Sequence, residues 1–183
     1  VTECTYGKVD LGSIPMFDIE YIFLQIRSKS VGEVSTLKLL CPDDKETYVN
    51  VDVDLSKIMV HVDKEHNPKI ELTEEMGMIM TYPTIDSITG LDGADINTSN
   101  MLDVISSCVL QIYDKKGEEV FDAKDQTKKE LIEFIEQLNT KQFQAVQTFF
   151  DTMPKLKHTI EVENPKTKVK SEVVLQGLND FFE

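Results

Sequence analysis

The stretch from Pro15 to Ser30 constrains this chain more than any other. Phe17, Ile19, Tyr21, Ile22, Phe23, Leu24 and Ile26 spread around most of a helical circumference. A helix apolar on so many sides needs contacts on more than one face. Its ends are well marked. Ser13 is placed to cap it, Pro15 suits an early helical position, and Gly32 offers a stop. Arg27 and Lys29 stand in the last turn, where cations favour the helix dipole.

Beyond Gly32 the period changes to two. Thr36 to Leu40 leads through Cys41-Pro42-Asp43-Asp44-Lys45 into an alternating run that puts Val49, Val51, Val53 and Leu55 on one face, as in a half-buried strand after a hairpin turn. Residues 58–62 and 69–72 read as further strands, broken by His66-Asn67-Pro68. Met76 to Met80 suits either a strand or a core segment, and residues 86–100 read as a loop with one helical turn. Met101, Leu102, Ile105, Cys108, Val109 and Ile112 then form a helical stripe ending at Lys115-Lys116-Gly117. Thr127 with Glu130 has capping-box spacing ahead of one helix. Thr140 is placed to cap the next, which Pro154 stops, and the short link between them predicts an antiparallel helical hairpin. Residues 158–162 and 169–175 form a β-hairpin around Asn164-Pro165-Lys166-Thr167, and Gly177 to Glu183 closes the chain at near-helical spacing.

The expected fold class is α+β in one compact unit: an N-terminal helix plus an antiparallel β-hairpin region (residues 1–80), a central helical region (81–153), and a C-terminal β-hairpin with a short helical tail (154–183). The two hairpin turns echo each other, both being strand, Pro-containing knuckle, strand, a likeness that chance or duplication explains equally well.

Charge narrows the function classes. The 183 residues carry 19 basic and 33 acidic side chains, a net charge of −14 at pH 7. Phosphate-binding surfaces need clustered Lys and Arg, so nucleic acid and anionic lipid are both disfavoured as partners. Residues 41–123 hold 6 basic against 18 acidic groups, an acidic middle that keeps the chain soluble and can steer basic partners. Three unpaired cysteines, Cys4, Cys41 and Cys108, suit a reducing interior. No stretch approaches the roughly 18 consecutive apolar residues of a membrane span, and no signal peptide opens the chain. The chain begins at Val1 without an initiator methionine, as a trimmed or processed chain would.

Few residues offer chemistry. The knuckles resemble the tips of zinc ribbons, yet the first supplies Cys41 alone and the second no cysteine, short of the four ligands zinc takes. His61, His66 and His158 belong to no triad motif, and Cys108 lies in an apolar stripe where a buried thiol is the default. Asp92, Asp95 and Asn97 lack the glycine and terminal Glu of a calcium loop. No phosphate-cradling glycine loop occurs. The expectation is no catalytic residue, no metal and no cofactor. The candidate partner-binding residues are apolar: Phe149, Phe150, Leu178, Phe181 and Phe182. Adjacent Phe residues on a helix point about 100° apart, so a pair is either buried on two sides or leaves one ring for a partner.

The run Pro15-Met16-Phe17-Asp18-Ile19-Glu20-Tyr21-Ile22-Phe23-Leu24-Gln25-Ile26-Arg27-Ser28-Lys29-Ser30-Val31-Gly32-Glu33 resembles the T4-type bacteriophage baseplate hub protein family. So do Cys4-Thr5-Tyr6-Gly7 ahead of it, Phe149 through His158, and Gly177 through Phe182, in the same order along most of the chain. The resemblance implies a non-catalytic protein of the contractile tail that acts on other phage tail and baseplate hub proteins. Its expected location is the host cytoplasm during assembly and the virion tail baseplate. Two roles stay open: a permanent hub subunit, or a transient chaperone of the tape-measure protein. A wall-degrading enzyme would need a carboxylate pair that the sequence does not reveal. The family also carries a further N-terminal segment, and some of its members have cysteine pairs at the knuckles, which implies that a zinc role is lost here.

Overall fold

A computed structural model describes residues 1–88, 98–116 and 119–182. The chain divides into two compact units rather than the one expected, both discontinuous in sequence. The first comprises Val1–Asp10, Phe17–His61 and Pro154–Glu183, and the second Leu11–Met16 and Val62–Met153. The fold is α+β with exclusively antiparallel pairings among the described strands.

The first unit holds most of helix α1 (Met16–Val31), the hairpin β1 (Val34–Leu40) and β2 (Tyr48–Asp54), and a three-stranded sheet of β3 (Met59–His61), β8 (Lys155–Glu163) and β9 (Lys170–Gln176) in the order β3-β8-β9. Gly32, at φ 145, ends α1 in a conformation that side chains rarely adopt. The period of two works as expected: Leu37 and Val53 from one sheet, and Leu156 and Leu175 from the other, join one buried cluster with Leu24 of α1, Leu55, Ile58 and Phe181. Burying each such side chain stabilises the unit by roughly 1.5–3 kcal/mol.

The second unit is built on a four-stranded sheet, β4 (Lys69–Glu71), β5 (Met76–Met80), β6 (Val109–Asp114) and β7 (Val120–Asp122), in that order. Its helices are the short α2 (Ile85–Ile88), α3 (Thr98–Ser107), α4 (Lys128–Glu136) and α5 (Thr140–Thr152). Ile70, Met78, Ile112, Leu131, Ile135, Val146 and Phe149 are among the residues of its buried core.

Met76 to Met80 is a strand, and two features differ from the sequence expectation. The helical stripe stops at Ser107, and Val109 to Asp114 is strand β6 inside the region expected to be helical. The cause is a bulge: Ile79 faces Gln111 while Met80 faces Val109, leaving Leu110 without a cross-strand partner. The extra residue turns Val109 and Ile112, three apart, into one core, which mimics helical spacing. Secondly, α5 is capped by Asn139 rather than Thr140, with Asn139 and Gln142 forming the capping box. The box of Thr127 and Glu130 is where the sequence puts it. The helical turn read within residues 86–100 corresponds to Ile85–Ile88, and helical structure resumes at Thr98, where the sequence period turns helical. The Asx-rich positions Asp92, Asp95 and Asn97 lie outside the described residues.

Candidate functional site

The closing residues assemble the surface of greatest interest. After β9, Gly177 adopts φ 74 and donates its N–H to the carbonyl of Leu156 at 3.1 Å, turning the chain back. Leu178 then packs against the first unit's core. Its amide donates to the Glu20 carboxylate, which partly offsets the upward push that burial gives this carboxyl. Asn179–Phe181 makes a single tight turn, fixed by Asp180, which accepts the Gln176 N–H at 2.7 Å. The Ser35 hydroxyl donates to the Phe181 carbonyl at 3.1 Å.

This seating separates the two rings. Phe181 is 0% exposed, whereas Phe182 is 36% exposed. The Phe182 ring meets Phe23 edge-on, with centroids 6.1 Å apart and planes at 85°. The Arg27 guanidinium stands over the same ring, 5.9 Å from its centroid. Phe23 and Arg27 are neighbours on one α1 stripe, one position round from the buried pair Leu24 and Ser28. Phe23 is itself 39% exposed. The sequence reading missed Phe23 and Arg27 as partners of the tail. The available signal was the all-round apolarity of α1, which leaves one stripe in surplus after the core is filled.

The other Phe pair has a different fate. Phe149 is buried in the second unit's core, and Phe150 packs half-buried against that core, the two rings edge-on at 5.2 Å. The five candidate residues are divided between the two units. Leu178, Phe181 and Phe182 belong to the first unit, and Phe149 and Phe150 to the second.

Among the described residues, polar chemistry is sparse. A cleft of about 480 Å³ in the second unit is lined by Asp86, Ser87, Asp103, Ser106, Lys124 and Lys128 among others. Asp103 pairs with Lys128 at 3.1 Å, and the hydroxyls of Ser106 and Ser107 donate to the backbone carbonyls of Asp103 and Val104. Burial pushes the Cys108 thiol up to about 11, away from nucleophilic use. Among the described residues, no group of three or more His, Cys, Asp or Glu side chains is placed to hold a metal ion. No described helix is long and apolar enough to cross a membrane.

No curated protein and no solved structure matches the chain. A family model does, described as the T4 bacteriophage base plate protein, and it matches residues 1–183, the whole sequence. With that match running from end to end, the chain belongs to the T4 bacteriophage base plate protein family.

Proposed function

We propose that this baseplate protein is non-catalytic and acts in assembly of the baseplate hub through protein–protein contacts, using the Phe23–Arg27–Phe182 face. The observation that carries the reading is the outward Phe182, held against Phe23 by a tail whose other ring, Phe181, is fully buried. A ring positioned by its neighbours loses little side-chain freedom on docking, and an adjacent guanidinium supplies donors for a carbonyl or carboxylate at the rim. Rings of this kind, flanked by Arg, are the usual anchors of protein interfaces. The partners expected are other phage tail and baseplate proteins. The net charge of −14 favours a second form of the same reading, a transient cover for the tape-measure protein, because an acidic exterior keeps an apolar-bearing chaperone soluble.

Phe182→Ala and Phe23→Ala are expected to weaken capture of tail proteins from infected cells while leaving Tm within about 2 °C of the parent. Phe181→Ala is expected to cost about 3–5 kcal/mol of stability instead. Unchanged capture by the first two variants would refute the assigned face. Mass spectrometry of mature particles separates the two forms: stoichiometric presence means a subunit, and presence confined to assembly intermediates means a chaperone.

A further inference from the structure

The two hairpin knuckles of the first unit share one bonding scheme. In the β1–β2 turn, Cys41 donates its N–H to the Thr47 carbonyl at 2.8 Å, and Lys45 donates back to the Cys41 carbonyl at 3.0 Å. In the β8–β9 turn, Asn164 donates to Val169 at 3.0 Å, and Lys168 donates back to the Asn164 carbonyl at 2.9 Å. Each turn has Pro after its first residue, and a lysine three positions beyond that Pro in the left-handed region, Lys45 at φ 54 and Lys168 at φ 63. Lysine gains nothing from that conformation, so its use in both turns reflects the turn geometry itself.

The first and fourth residues of each knuckle are Cys41 with Asp44, and Asn164 with Thr167. That is the spacing at which ribbon knuckles offer two ligands each to a tetrahedral ion. The side chains present do not suit such an ion. An amide and a hydroxyl are poor zinc ligands, and the one thiol, Cys41, is pushed up by burial and by the charges of Asp43 and Asp44.

What occupies the place is a hydrogen-bond cluster. Asn164, 1% exposed, uses its Oδ1 to accept the N–H groups of Lys166 at 2.8 Å and Thr167 at 3.4 Å. Its Nδ2 donates across to both oxygens of Asp43, at 2.9 and 3.1 Å, and the Thr167 hydroxyl donates to Asp43 as well. Asp44 accepts from Glu46, from the Thr47 amide and from the Thr47 hydroxyl, closing the first knuckle on itself. The Asp43 carboxylate thus joins two turns whose tied residues are 121 positions apart in the chain, and Asp44 adds a further hydrogen bond from Asn164. Linking distant segments at a turn pair is the service a structural ion performs.

We infer that the paired knuckles are a four-ligand metal frame in which the Asp43 carboxylate, bound by Asn164 and Thr167, replaces the ion as the tie between the hairpins. Two consequences can be measured on the full chain. The parent protein keeps its Tm in the presence of a chelator and shows no tetrahedral cobalt spectrum. The variant Asp44→Cys/Asn164→Cys/Thr167→Cys, which leaves Cys41 in place, binds one cobalt(II) with the intense visible bands and sulfur charge transfer of a tetrahedral thiolate site, and zinc raises its Tm. Should the metal-free variant be unfolded, cobalt addition is expected to restore its circular dichroism together with those bands. Failure to bind, or binding with an octahedral spectrum, overturns the frame. The tie is tested separately by Asp43→Asn in the parent, expected to lower Tm by at least about 3 °C. The same change in the zinc-loaded variant is expected to leave Tm unaltered. An unmoved Tm in the parent, or a fall of the parent's Tm on chelation, refutes the role given to Asp43.

Discussion

His66 shows how one side chain fixes its own protonation state. Its ring packs beside both Tyr82 and Phe149, with centroids at 5.6 and 5.1 Å, while those two rings stack on each other at 5.7 Å. Nδ1 is 3.0 Å from the Thr152 hydroxyl, and Nε2 is 3.0 Å from the Tyr82 hydroxyl. Thr152 spends its own proton on the Thr148 carbonyl at 2.7 Å, so it accepts from His66 Nδ1–H. Nε2 is then the acceptor of the Tyr82 proton, and burial, which pushes the Tyr82 phenol up, keeps that proton in place. A second imidazole proton would face a donor. Burial holds the His66 pKa below its ordinary 6.5, with the Asp63 charge working against the shift. A depressed histidine pKa means that the unfolded chain takes up the proton first. The contribution of His66 to stability is complete above 6.5 and declines as pH falls from there toward its lower folded value. Nuclear magnetic resonance titration is expected to place the His66 midpoint below 6.5, and His66→Gln to flatten the fall of Tm in that window. A midpoint above 6.5, or an unchanged slope, would refute the neutral, desolvated state assigned to His66. None of this was legible in the sequence, where His66 figures in a break before Pro68 and in no triad motif, because its partners come from two distant segments, Tyr82 and α5.

Elements were legible where local chemistry decides them and obscure where a neighbour does. The Thr127–Glu130 box, the alternation of β2 and the turn at Gly32 are written within a few residues, and all form as expected. The strand β6 was hidden by its bulge, and β5 by its methionines. The β5–β6 pair also holds a size constraint that no single-strand pattern reveals. Gly77 faces Tyr113 across the ladder, and a Cβ built on Gly77 would come within 2.4 Å of the Tyr113 ring. The ring covers the place where a side chain would stand, so the two residues are chosen together. Gly77→Ala must push the ring off that site and is expected to destabilise the protein by about 1–3 kcal/mol in urea denaturation. In Gly77→Ala/Tyr113→Ala the penalty of the first change is expected to shrink by more than half, since the obstacle has gone. Additive losses in that double-mutant cycle would show that the ring is not the cause.

At the scale of the whole molecule the chain folds back on itself in a way that sequence order conceals. Boundaries near residues 80 and 153 follow the changes of period, but a period says nothing about which distant strands pair. The strand β3 pairs with β8, matching Met59 with Lys157 and His61 with Lys155, so the residues that bracket Val62–Met153 are ladder neighbours. Antiparallel partners of this kind have Cα atoms about 4.5–5.5 Å apart. The long segment between them leaves and returns at one point of the sheet, which is the geometry of an insertion into a pre-existing hairpin. Closing that gap requires only a short turn, and Asn-Gly supplies the backbone that such a turn prefers. The first unit keeps its own core without the insertion: Leu24, Leu37, Val53, Leu55, Ile58, Leu156, Leu175 and Phe181 all lie outside residues 62–153. Replacing Val62–Met153 by a short link containing Asn-Gly is therefore expected to give a soluble chain with a cooperative thermal transition and the strand signal of two hairpins. The loss falls on Leu11–Met16, whose partners Pro83 and Thr84 go with the insertion, so the start of α1 is expected to fray. Proteolysis confined to the residues before Phe17 would match that expectation. A chain that melts without cooperativity, or that is cut throughout β1 and β2, would show instead that the first unit cannot hold its core unaided.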